Sequence, residues 1–449
     1  MKTIYLLIYI SIFQCFFKLS HTYIIIPFTS EMSKIPNDLL PKDLMNKIIF
    51  NDLYTNINIG TPSQSLNFYI NFNSYHTYIL KYNNLRNIKQ YNQNESSTYI
   101  LYNNKSIFFQ GNEFMNGFNS SDKITIGKYL KNYDLEFLLI KQENSNTKIT
   151  FAGSLGFKVV DIGEPTALTA GLIYKLNQKK LIDNHKFTLI FNKDNNYEGK
   201  IIIGKNIYEK YIDDYYRHGH CIIDLDYDYH WGWSDFEVTM KRNQIKLYYV
   251  YLKPENGVII ASNQFKNLLK KEFFEQKINE KKCYESNAKY DFFYCDDDID
   301  INIENIKFLN KKHNLTFEIN KDDLVYYYYG KKYFLIVFNK NLMSNTIYLG
   351  IPFLKKYDII FDQDSRHAGF YNFKIDFKEE EIDDNKEEGD EKIIPEKFQK
   401  KENWKIFIII LMFIIIVLFI YLIFYLYRDM RRKQGKAFID GFEYSKILK

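Results

Sequence analysis

Residues 406–427 run for 22 positions without a charge, from Ile406 to Tyr427, and are rich in Ile, Phe and Leu. At about 1.5 Å of rise per residue, a helix of that length crosses a hydrocarbon core about 30 Å thick. Trp404, Tyr425 and Tyr427 stand where interfacial rings belong, and Arg428, Arg431, Arg432 and Lys433 follow at once. The positive-inside rule then puts the C-terminus in the cytosol and the bulk of the chain across the membrane. At the other end Lys2 precedes an apolar run from Ile4 to Phe17, followed by Ser20 and Thr22, the pattern of a secretory signal peptide over residues 1–22. The expectation is a type I single-pass membrane protein of the secretory pathway, with a lumenal or extracellular body.

Apolar residues make up 46% of the chain, enough for a large core, and the length suits two core-bearing lobes. The net charge is only +5 and no long basic stretch occurs, which argues against a nucleic-acid partner. Between residues 52 and 373 short runs rich in Ile, Phe and Tyr dominate, most of them bounded by Gly, Asn or Asp. Examples are residues 66–72, 123–126, 187–191 and 200–203, and the best helix candidates are residues 167–181 and 264–276. The pattern predicts a mostly-β sandwich or barrel rather than alternating strands and helices. Residues 377–403 carry Glu379–Glu381, Asp383, Asp384, Glu387 and Glu388 without apolar periodicity, which reads as an acidic, solvated stalk.

Cys15 falls in the signal peptide, leaving Cys221, Cys283 and Cys295 in an oxidising compartment. Cys283 and Cys295 bracket a short loop and are the natural pair. His218, His220 and Cys221 read as a surface loop rather than a metal site. Asp224, Asp226 and Asp228 alternate as in a calcium loop, but Tyr229 stands where the sharp turn needs glycine. No metal and no cofactor is expected.

Residues 58–64 read Asn-Ile-Gly-Thr-Pro-Ser-Gln and resemble the Ile-Gly-Thr-Pro-x-Gln signature of pepsin-like aspartic proteases. In that family a strand follows, and a catalytic Asp-Thr-Gly-Ser turn begins seven residues after the Gln. Here that position is Asn71, in the turn Asn71-Phe72-Asn73-Ser74, with Thr77-Tyr78-Ile79 in place of the closing strand. Four further blocks are similar and stand in family order. They are Gly117 to Gly127 with Asp122, Gly153-Ser154-Leu155-Gly156-Phe157, Leu181 to Leu189, and Leu349-Gly350 through Phe353 to Tyr357, Phe361-Asp362 and Gly369-Phe370. Val258 to Ala261, with a helix around Phe265 to Leu269, resembles the stretch after the second catalytic turn. Threading back from it lays Lys253-Pro254-Glu255-Asn256-Gly257 over that turn, with Lys253 in the aspartate's place, 182 residues after Asn71. The resemblance implies a bilobal pepsin-like fold, with lobes at 51–192 and 193–376 after an N-terminal segment at 23–50, then the stalk, a span at 404–427 and a cytosolic tail at 428–449. Composition and membrane anchor resemble the plasmepsin branch.

Aspartic proteases use two carboxylates that share one proton across a water. Asn71 does not titrate, and a Lys253 ammonium donates without accepting. The two are expected to form a hydrogen-bonded pair that does not activate water. Asn73 and Glu255 replace the turn glycines, Gln110 (or Phe109, one residue earlier) falls where the family's flap tyrosine stands, and Phe72 and Gly257 complete the cleft set. The leading expectation is an inactive pseudoprotease that binds a peptide or protein in its cleft. The alternatives are an active plasmepsin-like endopeptidase with an atypical site and a trafficking receptor. In the tail, Tyr444 and Ile447 resemble the tyrosine-based motif read by clathrin adaptors.

Overall fold

A computed structural model describes residues 23–371, apart from 32–34, 37, 82–88, 111–112, 128–129, 141–150, 159–170, 193–196, 206–219, 225–230, 242, 288, 302, 304 and 312–314. For 103–110, 113–115 and 220–224 it describes the backbone alone. The chain divides after Ile375, and every described residue belongs to the part before that point. The segments expected to be signal peptide, stalk, span and tail, with Tyr444 and Ile447, lie outside the described residues, as do His218, Asp226 and Asp228. Among the described residues no helix is long and apolar enough to cross a membrane.

Strands dominate, as the sequence predicts, and among the described residues they form four sheets of 13, 5, 4 and 4 strands. In the strand Leu53–Ile59 the alternate residues Leu53, Thr55, Ile57 and Ile59 are buried, while Asn56 and Asn58 face solvent. A one-residue slip would invert that pattern, so one-sided burial fixes the register against Gln64–Asn71. The 13-stranded sheet joins distant parts of the chain. In it Lys186–Phe191 lies between Glu198–Ile203 and Asp358–Asp362, with Ile24–Ser30 on the far side of Glu198–Ile203. Phe187 stacks on Phe361 with ring centroids 4.7 Å apart, and Trp231 meets Phe361 edge-on at 4.7 Å. This aromatic knot lies next to the first turn described below.

The two expected helices are present with altered limits. Leu172–Gln178 stops before Leu181, and residues 167–170 lie outside the described set. Its end is a reversal in which Lys180 takes φ +59°, the Leu181 N–H reaches the Leu176 carbonyl at 3.0 Å and the Lys180 N–H reaches that of Asn177 at 2.8 Å. These bonds satisfy carbonyls that the helix leaves open and force the chain out of it. The second helix is Asn263–Leu269, a π turn at Lys270–Phe274, then Glu275–Asn279. The wider π turn lets Phe273 and Phe274, adjacent in sequence, both face the core with Phe265 and Leu269.

Cys283 and Cys295 are joined, directly opposite each other in the hairpin Cys283–Ser286 and Phe292–Asp296. The surface-loop reading of His220 and Cys221 is corrected. Both lie in the strand His220–Asp224, at one edge of the large sheet, where Cys221 pairs with Phe370. The apolar Ile222 and Ile223 that follow suit a strand better than a loop.

Candidate active site

The two turns singled out by sequence sit in the same wiring. In the first, Gln64–Asn71 runs parallel to Gly153–Gly156, which places Asn71 opposite Gly156. The chain then returns as Tyr78–Leu80, antiparallel to Gly153–Gly156 and parallel to Leu130–Ile140. In the second, Tyr249–Leu252 runs parallel to Thr346–Leu349, with Leu252 opposite Leu349. The return strand Ile259–Ala261 is antiparallel to Thr346–Leu349 and parallel to Ile336–Phe338. Lys253 therefore comes opposite Gly350, and its N–H donates to the Leu349 carbonyl at 2.9 Å. Both partner glycines are needed for close approach. A Cβ on Gly156 would lie 2.3 Å from the Tyr75 carbonyl carbon, and one on Gly350 would lie 2.1 Å from the Val258 oxygen. Within this chain, Asn71 and Lys253 thus occupy matching places in two matching units.

Their side chains behave differently from the sequence expectation. Asn71 is buried, and its Oδ1 accepts the N–H groups of Asn73 at 2.9 Å and Ser74 at 3.1 Å. A short amide at that point satisfies the turn's own donors, as Asn side chains do in Asx turns. The expected Asn71–Lys253 pair is replaced by another link. Lys253 Nζ donates to Asn73 Oδ1 and lies 3.7 Å from Glu255 Oε1, while Asn73 Nδ2 donates to the same Glu255 oxygen at 2.6 Å. Three side chains from two turns form one clasp, and the Tyr348 ring lies 5.9 Å from the ammonium. Lys253 and Glu255 are largely covered, with side-chain exposures of 17% and 11%.

Phe72 is corrected from a cleft residue to a core residue. It is buried and meets Phe157 at 5.8 Å and Phe187 and Phe361 at 6.2 Å. Gly257 is packed under the backbone of Ile48, whose oxygen would lie 2.1 Å from an added Cβ. Gln110 ends the strand Ile100–Gln110, opposite Glu113 in the last pair before the hairpin tip, with Phe109 opposite Phe114; their side chains lie outside the described set. Asp122 is fully buried and accepts bonds from the Tyr91 hydroxyl, from Thr98 Oγ1 at 2.5 Å and from the Lys123 N–H at 2.7 Å, which makes it an anchor for the hairpin base.

Sequence reasoning missed two groups. Asp52 stands just before the strand Leu53–Ile59, and burial, followed by the charges of Glu31 and Glu255, pushes its carboxyl up from 3.8 to about 7. The Tyr69 hydroxyl is raised well above its ordinary value by burial, then by Glu255, Asp52 and Tyr78. The sequence signal available for Asp52 was weak, a carboxylate directly ahead of a one-faced strand. Beside the first turn, burial and then Lys175 and Lys158 push His76 down to about 4, so it is neutral at physiological pH. Among the described residues no three His, Cys, Asp or Glu side chains are grouped to hold a metal ion.

The sequence model of the eukaryotic aspartyl protease family matches residues 52–372. The chain belongs to that family. No curated protein matches it significantly. The family match begins at Asp52, so the strand Ile24–Ser30 and the helix Pro41–Ile49, which pack within the same body, precede it. In this aspartyl protease homologue the two matching turns carry an amide and an ammonium, and the one carboxylate inside them, Glu255, is tied to both Asn73 and Lys253.

Proposed function

We propose that this aspartyl protease homologue is a membrane-anchored pseudoprotease that holds a peptide or protein in the cleft between its lobes without cutting it. One observation carries the reading: Asn71 and Lys253 stand at matching places beside Gly156 and Gly350. General acid–base hydrolysis by this family's route needs one ionised and one protonated carboxyl sharing a water. An amide and an ammonium supply neither the base nor the shared proton. The clasp among Asn73, Lys253 and Glu255 further replaces the open backbone that glycines would leave for an extended peptide. Residues 406–427 would anchor the protein, and Tyr444 with Ile447 would present a sorting signal to clathrin adaptors.

Peptide capture tests the binding part. The purified chain is immobilised and incubated with a degenerate peptide library at acid and at neutral pH, and eluted peptides are sequenced by mass spectrometry. The expected result is an enriched class of intact, extended peptides. Enrichment of truncated products would favour the endopeptidase with an atypical site. Absence of any enriched peptide at either pH would remove the cleft ligand and leave a trafficking receptor that engages whole proteins elsewhere.

A further inference from the structure

Asn-x-Ser/Thr triplets, the acceptor pattern for N-linked glycans, stand at Asn94, Asn104, Asn119 and Asn314. Asn314 lies outside the described residues, and for Asn104 only the backbone is described. Asn119 belongs to the strand Glu113–Ile126, which pairs with Ile100–Gln110 on one side and Leu130–Ile140 on the other. It is half-buried and already engaged in another interaction, and Ser120 and Ser121 beside it are buried. Asn94 has a different setting. It is the middle residue of the short turn Gln93–Glu95 and is exposed, and its side-chain amide makes no hydrogen bond among the described residues. The turn is held from within. Gln64 Nε2 donates to the Asn92 carbonyl at 2.9 Å, and Gln64 Oε1 accepts the Asn92 N–H at 2.9 Å. Asn92 Oδ1 accepts the Asn94 N–H at 3.2 Å, and Ser96 Oγ accepts the Thr61 N–H at 3.0 Å. The Ser97 N–H reaches the Thr61 carbonyl at 2.8 Å. These bonds fix residues 92–97 against the Thr61–Gln64 turn and leave the Asn94 side chain to solvent.

The strand that follows the turn is exposed in a way that calls for cover. Among the described residues Ile100–Gln110 is the outermost strand of the large sheet, at the end beyond Glu113–Ile126. Ile100, Leu101, Tyr102 and Phe118 keep 42–51% of their surface exposed. Leu101 is opposite Ser120, so Leu101 and Phe118 share one face of the hairpin, while Ile100 and Tyr102 stand on the other. An open strand edge flanked by exposed apolar side chains is a template for pairing with another chain, and folded proteins cover or blunt such edges. Ile100 is six residues after Asn94, at most about 22 Å along the chain.

We propose that Asn94 carries an N-linked glycan, which covers the open edge at Ile100–Tyr102. The co-reactant is an oligosaccharide linked to a lipid diphosphate. A bond forms between Asn94 Nδ2 and C1 of the first sugar, and the bond from C1 to the diphosphate oxygen breaks. The lipid diphosphate leaves, Nδ2 gives up one proton, and nothing is oxidised or reduced. The product is bulky and solubilising, and it sits on a turn whose own hydrogen bonds do not use the Asn94 amide. At Asn119 the same group would have to fit within the middle strand of three, so that site stays bare in the folded protein. Transfer takes place in the lumen of the secretory pathway. The inference therefore rests on the secretory reading of residues 1–22 and does not depend on what the cleft binds.

Site mapping on the full chain, made in eukaryotic cells that add N-glycans, tests it. The glycans are released by a glycoamidase in heavy-oxygen water, which turns each glycosylated Asn into a labelled Asp, and peptide fragmentation by mass spectrometry places the label. The expected result is label at Asn94 in most molecules and none at Asn119. Release of the glycan from the folded natural protein, and separately Asn94→Gln, should each raise the aggregated fraction on size-exclusion chromatography at least about two-fold in the same detergent. The enzymatic arm keeps the natural fold, so a folding defect of the variant does not decide the outcome. An unlabelled Asn94 in chain whose body is shielded from added protease by intact vesicles would overturn the glycan and leave the secretory reading standing. An unlabelled Asn94 in chain that the protease reaches would sink both. A labelled Asn94 whose release leaves aggregation unchanged would overturn the covered edge, and label at Asn119 in the folded protein would overturn the choice between the two sites.

Discussion

Replacing both Asn71 and Lys253 with aspartate leaves the chain a poor protease. The two new carboxyls would stand at matching turn positions, but the surroundings would not let them share a proton across a water. Asn73 and Glu255 reach across between the turns, and their 2.6 Å bond occupies space next to both positions. Removing the Lys253 ammonium also removes the cation 3.7 Å from Glu255, so a third carboxylate is left uncompensated beside the new pair. Phe72 is locked among Phe157, Phe187 and Phe361, which ties the first turn to the core in its present course. A misplacement of about 1 Å costs on the order of 10²-fold in rate, and here at least two side chains displace the reacting groups. The measurement is kcat/KM on fluorogenic peptides at acid pH. Turnover near that of a working aspartyl protease would mean that only the two acids had been lost. A quadruple variant that also carries Asn73→Gly and Glu255→Gly should gain more than the double variant, since it reopens the backbone as well.

Lys266→Ala destabilises the folded chain by about 3–5 kcal/mol, the range for breaking a buried ion pair from one side. Asp291 is fully buried, and Lys266 Nζ lies 2.6 Å from its Oδ2 and 2.6 Å from Glu285 Oε1. Lys340 also approaches Asp291, at 3.4 Å, but is more than half exposed and is the weaker partner. Lys266 sits on the helix Asn263–Leu269, directly after the return strand of the second turn, while Glu285 belongs to the disulfide-bearing hairpin. Asp291 is held by backbone bonds to Phe338 at 2.8 and 2.9 Å and does not swing out to water at low cost. Denaturant unfolding checks the prediction. A loss below about 1 kcal/mol would show that Lys340 compensates, and removing both charges with Lys266→Met and Asp291→Leu should recover most of the stability.

Family and strand-rich fold were legible because they rest on local signals. The one-sided burial of Leu53–Ile59 is visible as alternation in the sequence, and the count from Gln64 to Asn71 runs along one uninterrupted strand. Helix limits were less legible. The Lys180 reversal uses a left-handed residue that is not glycine, so the usual stop signal was missing. The direction of Phe72 was hidden because alternation ends with the strand at Asn71, and a turn residue can face either way. The clasp was hidden for a different reason. Asn73 and Glu255 are 182 residues apart, and which amide meets which charge depends on side-chain torsions that no spacing encodes. Asp52 shows the same limit, since its raised carboxyl depends first on burial in the folded chain, then on Glu31 and last on Glu255 from the other turn.

The central claim is that the two turns hold no working acid pair, and hydrolysis by the natural protein tests it most directly. The purified chain is incubated at acid pH with a degenerate peptide library, with and without pepstatin, and new termini are counted by mass spectrometry. The expected result is no pepstatin-sensitive termini above the protein-free blank, because neither Asn71 nor Lys253 accepts the water's proton. Reproducible cleavage that pepstatin abolishes, and that disappears in Glu255→Gln, would contradict it and would make Glu255 the acid of an atypical but active site.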